Sequence, residues 1–349
     1  MPETRVVIIG AGFAGAEVAR GLGAAAWVTL IDRHNYQLFQ PLLYQVATAA
    51  LSPADIAEPI RRLVRGRRNV EVVLGEVTEI STDDRNVKLA DGSKLPYDML
   101  VIAAGATTAY FGYEKWSRFA LGLKSISDAR TIRSRLLQAF EQTEMTDHPS
   151  ERHRLMTIVI VGGGPSGVEL AGSIAELARY SLAKDFRKID PKSAVVHVIE
   201  KGPRILPTFP KALSDYAISK LTELGVKVQE NCAVKQISEC CVETESETIP
   251  VAFAIWAAGA RASPVAKMLG GAIDKAGRIK TNRDLDFGWL RLKGLVAWLL
   301  WALIHIYLLA GVQHGLLVAV QWLWRYLTYD RGARMIVEPM PHGRGDSSC

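Results

Sequence analysis

The sequence predicts an α/β fold in which one supersecondary unit is used twice. Three observations predict it. A short β-branched strand, Val6–Ile9, runs straight into Gly10-x-Gly12-x-x-Gly15. The same order returns at Thr157–Val161 and Gly162-x-Gly164-x-x-Gly167. Each copy then leads through a helix to a second strand tipped by an acid, Asp32 or Glu200. A strand–glycine turn–helix–strand–acid order is the pattern of a dinucleotide site, and its repetition is an internal repeat of the whole unit. The chain is therefore expected to hold two Rossmann-like dinucleotide-binding domains.

Val6–Ile9 suits a parallel strand buried on both faces. The small residues of Ala14–Gly23 continue as a helix, and Val28–Ile31 is the next strand. Val70–Leu74, Val77–Ile80 and Val87–Leu89 read as strands, followed by the run from Tyr97 to Gly105. In the second copy Val168–Leu182 is the helix and Ala194–Ile199 the strand. The run Ile249–Gly259 mirrors 97–105, each returning its chain to the sheet beneath its own turn. The expected domains are a first nucleotide domain (1–120), an inserted second one (121–260) and a return to the first (261–290). Hinges are expected near 105–125 and 260–280. A helical anchor (291–336) and a frayed Pro/Gly/polar tail (337–349) follow.

The 349 residues suffice for two domains plus a tail. With 49% hydrophobic and 22% charged residues the composition excludes disordered and fibrous classes. A net charge of +6 is modest for nucleic-acid binding and no such motif is present, so nucleic acid is not an expected partner. The same excess favours an anionic lipid surface. Cys232, Cys240, Cys241 and Cys349 lack zinc-ligand spacing, so no metal is expected. The first apolar run has no cationic n-region, which points to the cytoplasmic side of a membrane.

The chemistry at each turn is phosphate binding. The first glycine permits the tight turn and the second lets backbone approach a pyrophosphate. The third lets helix pack close to strand, while the helix start supplies partial positive charge. Asp32 and Glu200 can each accept hydrogen bonds from a ribose. A lone glycine motif can reflect packing alone, but here strand, helix and acid agree twice. Glu200 would repel a 2′-phosphate and so favours NADH over NADPH, with Lys201 beside it acting the other way.

The segments VVIIGAGFAG, DRHNYQLFQPLLYQVATAALSPADIAEPIR (32–61), YDMLVIAAGAT, VGGGPSGVELAGSIAE and IWAAGARASP are similar to those of the membrane-bound type II NADH dehydrogenases. The resemblance implies a glutathione-reductase-like two-domain flavoprotein with C-terminal amphipathic membrane-anchoring helices. It would pass electrons from NADH through FAD to a membrane quinone without pumping protons. It implies that Gly10, Gly12, Phe13, Ala14 and Gly15 line the FAD pyrophosphate. Asp32, with Arg33 beside it, would hold the adenosine ribose. Gln45 and Thr48 would approach the flavin ring, Val77 would meet the adenine through its backbone, and Ala103–Gly105 would lie beside the cofactor. Gly162, Gly164, Pro165, Gly167, Glu200 and Gly259 would bind NADH. Glu169 stands where the family places a carboxylate near the nicotinamide, the one candidate catalytic residue. Its plainer reading is a first-turn acid favoured by the helix dipole.

The chain departs from the family in one place. After Leu285 a strand and a Gly-Asp motif that grips FAD are expected, and then a helix bordering flavin and quinone. Here Asp286-Phe287-Gly288-Trp289 leads directly to the anchor. That loss leaves open a catalytically impaired, membrane-associated nucleotide-binding remnant. Sulfide:quinone-type and ferredoxin-reductase-type flavoproteins are further alternatives, although segment 33–60 holds no cysteine for a disulfide route. Gly294–Val312 is apolar and about 28 Å long as a helix, enough in length to span. In the next helix Gln321, Arg325 and Thr328 form a polar stripe, with Trp322 and Trp324 on the remaining surface, as in a helix lying in the lipid interface. Peripheral attachment to the cytoplasmic face of the cell inner membrane is the expectation, with a homodimer contact the other use for such a helix.

Overall fold

The computed structural model describes residues 4–22, 24, 26–270, 274, 277, 278 and 317–323. The junction at 285–286, the apolar run 294–312 and the tail 337–349 lie outside the described residues. By contacts the chain divides into two units. One holds the described residues up to Phe39, Ile56–Thr107, and those within 260–319. The other holds Gln40–Asp55, Thr108–Gly259 and 320–323. Gln40–Asp55 thus groups with the second unit, where the sequence reading puts it in the first.

In the first unit the strands Val70–Leu74, Trp27–Asp32, Arg5–Ile9 and Met99–Ile102 form a parallel sheet in that order. Val6–Ile9 is buried throughout because side chains on both faces meet apolar layers. Val6, Ile8, Val28 and Leu30 pack with Ala19 of the helix Phe13–Gly21. Val7, Ile9 and Ile31 pack with Val77, Val87 and Leu89 of a three-stranded antiparallel sheet, Val77–Ser81, Asn86–Leu89 and Lys94–Pro96.

The second unit repeats the plan. Ala120–Leu121, Phe253–Trp256, Thr157–Val161, Val195–Ile199 and Lys227–Gln229 form a parallel sheet in that order. On one face Val159, Val161, Ile199 and Trp256 pack with Ile237, Val242 and Ile249 of a second three-stranded antiparallel sheet. The helix Pro165–Glu176 packs on strands Thr157–Val161 and Val195–Ile199. It stops short of the expected Leu182, because Leu177–Ser181 widens into a π-helical turn. The run Ile249–Gly259 is not one strand. Thr248–Pro250 pairs antiparallel with Cys241–Thr244, and only Phe253–Trp256 returns to the parallel sheet.

Ile126–Met145 is the longest described helix. Its start is fixed by a reciprocal capping box: Ser125 Oγ accepts from Asp128 N at 3.1 Å, and Asp128 Oδ2 accepts from Ser125 N at 2.9 Å. It packs against the short helix Leu43–Ala47. Residues 317–323 are helical, with Leu323 and Val320 exposed. Trp322 is buried, not spread on the outer surface as its sequence position suggests. No helix among the described residues is long and apolar enough to cross a membrane.

Candidate functional site

The two glycine turns are built alike. Gly10 (φ +100°) and Gly162 (φ +111°) sit in a left-handed conformation that only glycine adopts without strain. A Cβ on Gly10 would stand 2.4 Å from the Ala103 carbonyl oxygen; one on Gly162 would stand 2.6 Å from Ala258 N. Gly10 N donates to Ile31 O and Gly162 N to Ile199 O, both at 2.8 Å. A Cβ on Gly15 would lie 1.8 Å from Gly10 O, and on Gly167 2.0 Å from Gly162 O. These glycines let each helix close onto its own turn. By contrast, nothing lies within 4 Å of a Cβ built on Gly12 or Gly164.

Neither helix start has a side-chain cap. The first-turn amides therefore point outward with no intrahelical acceptor, and Phe13, Ala14 and Pro165 are exposed around them. An open cradle of amides at a helix N-terminus fits a pyrophosphate, at both turns.

The acids are held by the turns they face. Asp32 Oδ2 accepts from Ala11 N at 2.7 Å and its Oδ1 from His34 N at 2.8 Å. Glu200 Oε2 accepts from Gly163 N at 2.7 Å and its Oε1 from Gly202 N at 2.6 Å. A carboxylate has about four acceptor positions, so each acid keeps lone pairs for ribose hydroxyls. Arg33 is exposed beside Asp32. Val77 buries its side chain in the first core, which leaves its backbone as the part able to meet a base.

Glu169, Gln45 and Thr48 all belong to the second unit, where the helix Leu43–Ala47 packs against the helix Pro165–Glu176. Thr48 is buried, and its Oγ1 lies 2.7 Å from Ser173 Oγ and donates to Tyr44 O at 3.0 Å. Ser173 is one turn after Glu169 on the same helix, so both lie toward the helix Leu43–Ala47. Glu169 is half-buried and accepts no hydrogen bond among the described residues, and burial pushes its carboxyl up to about 7. A carboxyl titrating there can hold or release a proton near neutrality. Gln45 is buried, donating from Nε2 to the Tyr44 hydroxyl (3.1 Å) and accepting at Oε1 from Trp322 Nε1 (2.8 Å).

Sequence reasoning missed three features. The Thr48–Ser173 link spans 125 positions and has no local signature. The backbone of Leu206 donates to Gly163 O at 2.8 Å, laying the segment after Glu200 against the second turn. Finally, Phe111 covers Gly259: a Cβ there would be 2.3 Å from Phe111 Cζ. A glycine inside the aromatic cluster Tyr110-Phe111-Gly112-Tyr113 is the signal that marks this last one. Among the described residues no cluster of His, Cys, Asp and Glu could hold a metal ion.

The family model of pyridine nucleotide-disulphide oxidoreductases matches residues 4–288. Two relatives are the type II NADH:quinone oxidoreductases NdhA and Ndh of Mycobacterium tuberculosis. They are 42% and 41% identical over 295 residues, which is 80% and 81% of this chain but 63% and 64% of theirs. The chain thus spans somewhat less than two thirds of these relatives. Among solved structures, NDH2 of Plasmodium falciparum in complex with NADH is similar at a TM-score of 0.72 and 26% identity. That match covers 76% of this chain and 57% of the other.

Proposed function

Since the chain belongs to the pyridine nucleotide-disulphide oxidoreductases, we propose that it takes a hydride from NADH onto FAD and passes the electrons to a membrane quinone without pumping protons. One observation carries the reading: two glycine turns of the same geometry, each open at its middle glycine and each faced by an acid. FAD, when bound, supplies the two-electron chemistry, and the protein supplies binding, orientation and electrostatics. Gly10, Gly12 and Gly15 with the amides of Phe13 and Ala14 hold the FAD pyrophosphate, and Asp32 orients its ribose. Gly162, Gly164 and Gly167 do the same for NADH. Glu200 takes the second ribose and disfavours a 2′-phosphate.

Glu169 holds a proton near neutral pH on the helix that begins at the second turn. Release of this proton would leave a carboxylate, whose negative charge would offset the positive charge on the nicotinamide once a hydride has departed. The quinone as acceptor is supported by the relatives' chemistry and by the lack of cysteine in segment 33–60. Peripheral attachment at the cytoplasmic face is supported by the basic, aromatic-rich sequence after residue 294.

The test is spectroscopic. Purified full chain should be yellow, bleach on anaerobic NADH and recover its colour on added quinone. Colourless protein that oxidises no NADH after added FAD would sink the proposal. That result would leave a nucleotide-binding remnant, the reading favoured by the direct passage from Leu285 to Asp286.

A further inference from the structure

Phe111 occupies a conformation that a bulky side chain rarely takes. Its φ is +52° and that of Gly112 is +95°, and Tyr113 N donates to Tyr110 O at 3.0 Å. Two consecutive positive φ values inside such a bond make a type I′ turn, whose first central position favours Asn, Asp or Gly. A strained aromatic residue there needs surroundings that over-determine it, and they are present. Tyr110 stacks on Trp256 at 5.3 Å and donates its hydroxyl to Ala120 O at 2.8 Å. Tyr113 stacks on Trp116 at 4.2 Å, and Trp256 Nε1 donates to Ala109 O at 2.7 Å. Four aromatic rings clamp the turn, and yet the ring they present, Phe111, is 65% exposed. It lies on the backbone of Gly259.

The sheet order says what that ring faces. Strand Thr157–Val161, which feeds the glycine turn, lies between Val195–Ile199 on one side and Phe253–Trp256 on the other. Glu200 ends the first of these neighbours and marks the adenosine side. Gly259 follows the second, so it lies across the pyrophosphate cradle from Glu200, on the nicotinamide side. The repeat supplies a control, because Gly105 occupies the same place in the first unit and has nothing within 4 Å of a built Cβ.

We propose that Phe111 is a positioning residue for the nicotinamide of NADH, its ring packing against the nicotinamide ring from the Gly259 side. This deepens the NADH reading of the second turn and rests on it. The strained turn fixes the ring before substrate arrives, so little side-chain freedom is lost on binding.

Titration of the full chain with NADH and with ADP-ribose, which lacks nicotinamide, tests the assignment. Phe111→Ala should weaken NADH binding about fivefold to tenfold, the size of one aromatic contact, and leave ADP-ribose affinity unchanged. Phe111→Tyr should restore NADH binding. Phe111→Asn, suited to the turn, should melt higher than the parent while binding NADH as weakly as Phe111→Ala. If the parent binds both ligands and Phe111→Ala alters neither, or both equally, the positioning role is overturned and the NADH reading stands. If the parent binds neither ligand, both fall.

Discussion

Set side by side, the turn at Gly10–Gly15 and the turn at Gly162–Gly167 have the same backbone and different surroundings. Their fifth helical residues are both glutamate. Glu17 is exposed and paired with Arg20, whereas Glu169 is half-buried, accepts no hydrogen bond among the described residues, and titrates near 7. Their strand-return glycines differ likewise, Gly105 open and Gly259 covered by Phe111. The comparison teaches that the repeated motif fixes where a phosphate can sit, while the packing around each copy decides what else happens there. Binding is written in the motif, and chemistry in its neighbours.

The largest effect should come from breaking what the copies share. Gly15→Ala and Gly167→Ala each drive a methyl onto a turn carbonyl, at 1.8 and 2.0 Å, where only backbone movement gives relief. Each should destabilise by more than about 3 kcal/mol, above the common cost of overpacking because the obstacle is main chain. Thermal unfolding checks it. A loss under about 1 kcal/mol at either site would show that helix and turn are not locked together as described.

Next comes what the copies do not share. Glu169 has its ordinary carboxyl value of 4.5 when unfolded and about 7 when folded. The folded state therefore holds the proton more tightly. The resulting stabilisation is fully present below pH 4.5 and is lost as pH rises through 7. Glu169→Gln should accordingly be more stable than the parent at pH 8, by roughly 2 kcal/mol, and nearly equal to it at pH 4. Glu17→Gln, which removes only an exposed ion pair with Arg20, should stay within about 0.5 kcal/mol of the parent. Denaturant melts of both variants across pH 4–8 separate the sites. Parallel curves would mean that the two glutamates differ in nothing that matters.

This contrast also marks how far the sequence could be read. Both glycine turns, both acids and both flanking parallel strands follow from local spacing, because the bonds that tie each acid to its turn join residues of one repeat, Ala11 to Asp32 and Gly163 to Glu200. Glu169 could be placed at a helix start but not given its environment, since burial depends on packing with Leu43–Ala47, more than a hundred positions away. Trp322 fits a lipid-facing helix by periodicity, yet its indole finds Gln45, a partner that no spacing rule connects to it. The break at Val251-Ala252 inside Ile249–Gly259 was hidden because both halves are apolar, one for each sheet.

A smaller effect is expected at the acids. Asp32→Asn and Glu200→Gln each replace an anionic acceptor of two backbone amides by a neutral one. Loss of the charge should cost about 1 kcal/mol of stability in each case. The ligand effects should separate cleanly. Asp32→Asn should lower flavin content after purification and leave the NADH KM of the flavin-loaded fraction unchanged. Glu200→Gln should raise that KM and admit NADPH more readily, with flavin content unchanged. Crossed effects, with Asp32→Asn altering the KM or Glu200→Gln the flavin content, would reverse the assignment of cofactors to turns.

The smallest effect on stability belongs to the middle glycines, and it gives the sharpest separation of packing from binding. Gly12 and Gly164 have ordinary backbone, with φ of −68° and −72°, and open space where a Cβ would stand. If the motif served only to let helix meet strand, alanine at either position would be harmless in every assay. If the cradle holds a pyrophosphate, the same methyl stands where the phosphate must approach, and affinity falls while the fold does not notice. Melting should shift by less than about 0.5 kcal/mol in both variants. Gly12→Ala should emerge with little flavin, and Gly164→Ala should keep its flavin while its NADH KM rises tenfold or more, by about 1.4 kcal/mol. The two variants leave opposite cofactors intact, so each serves as the folding control for the other.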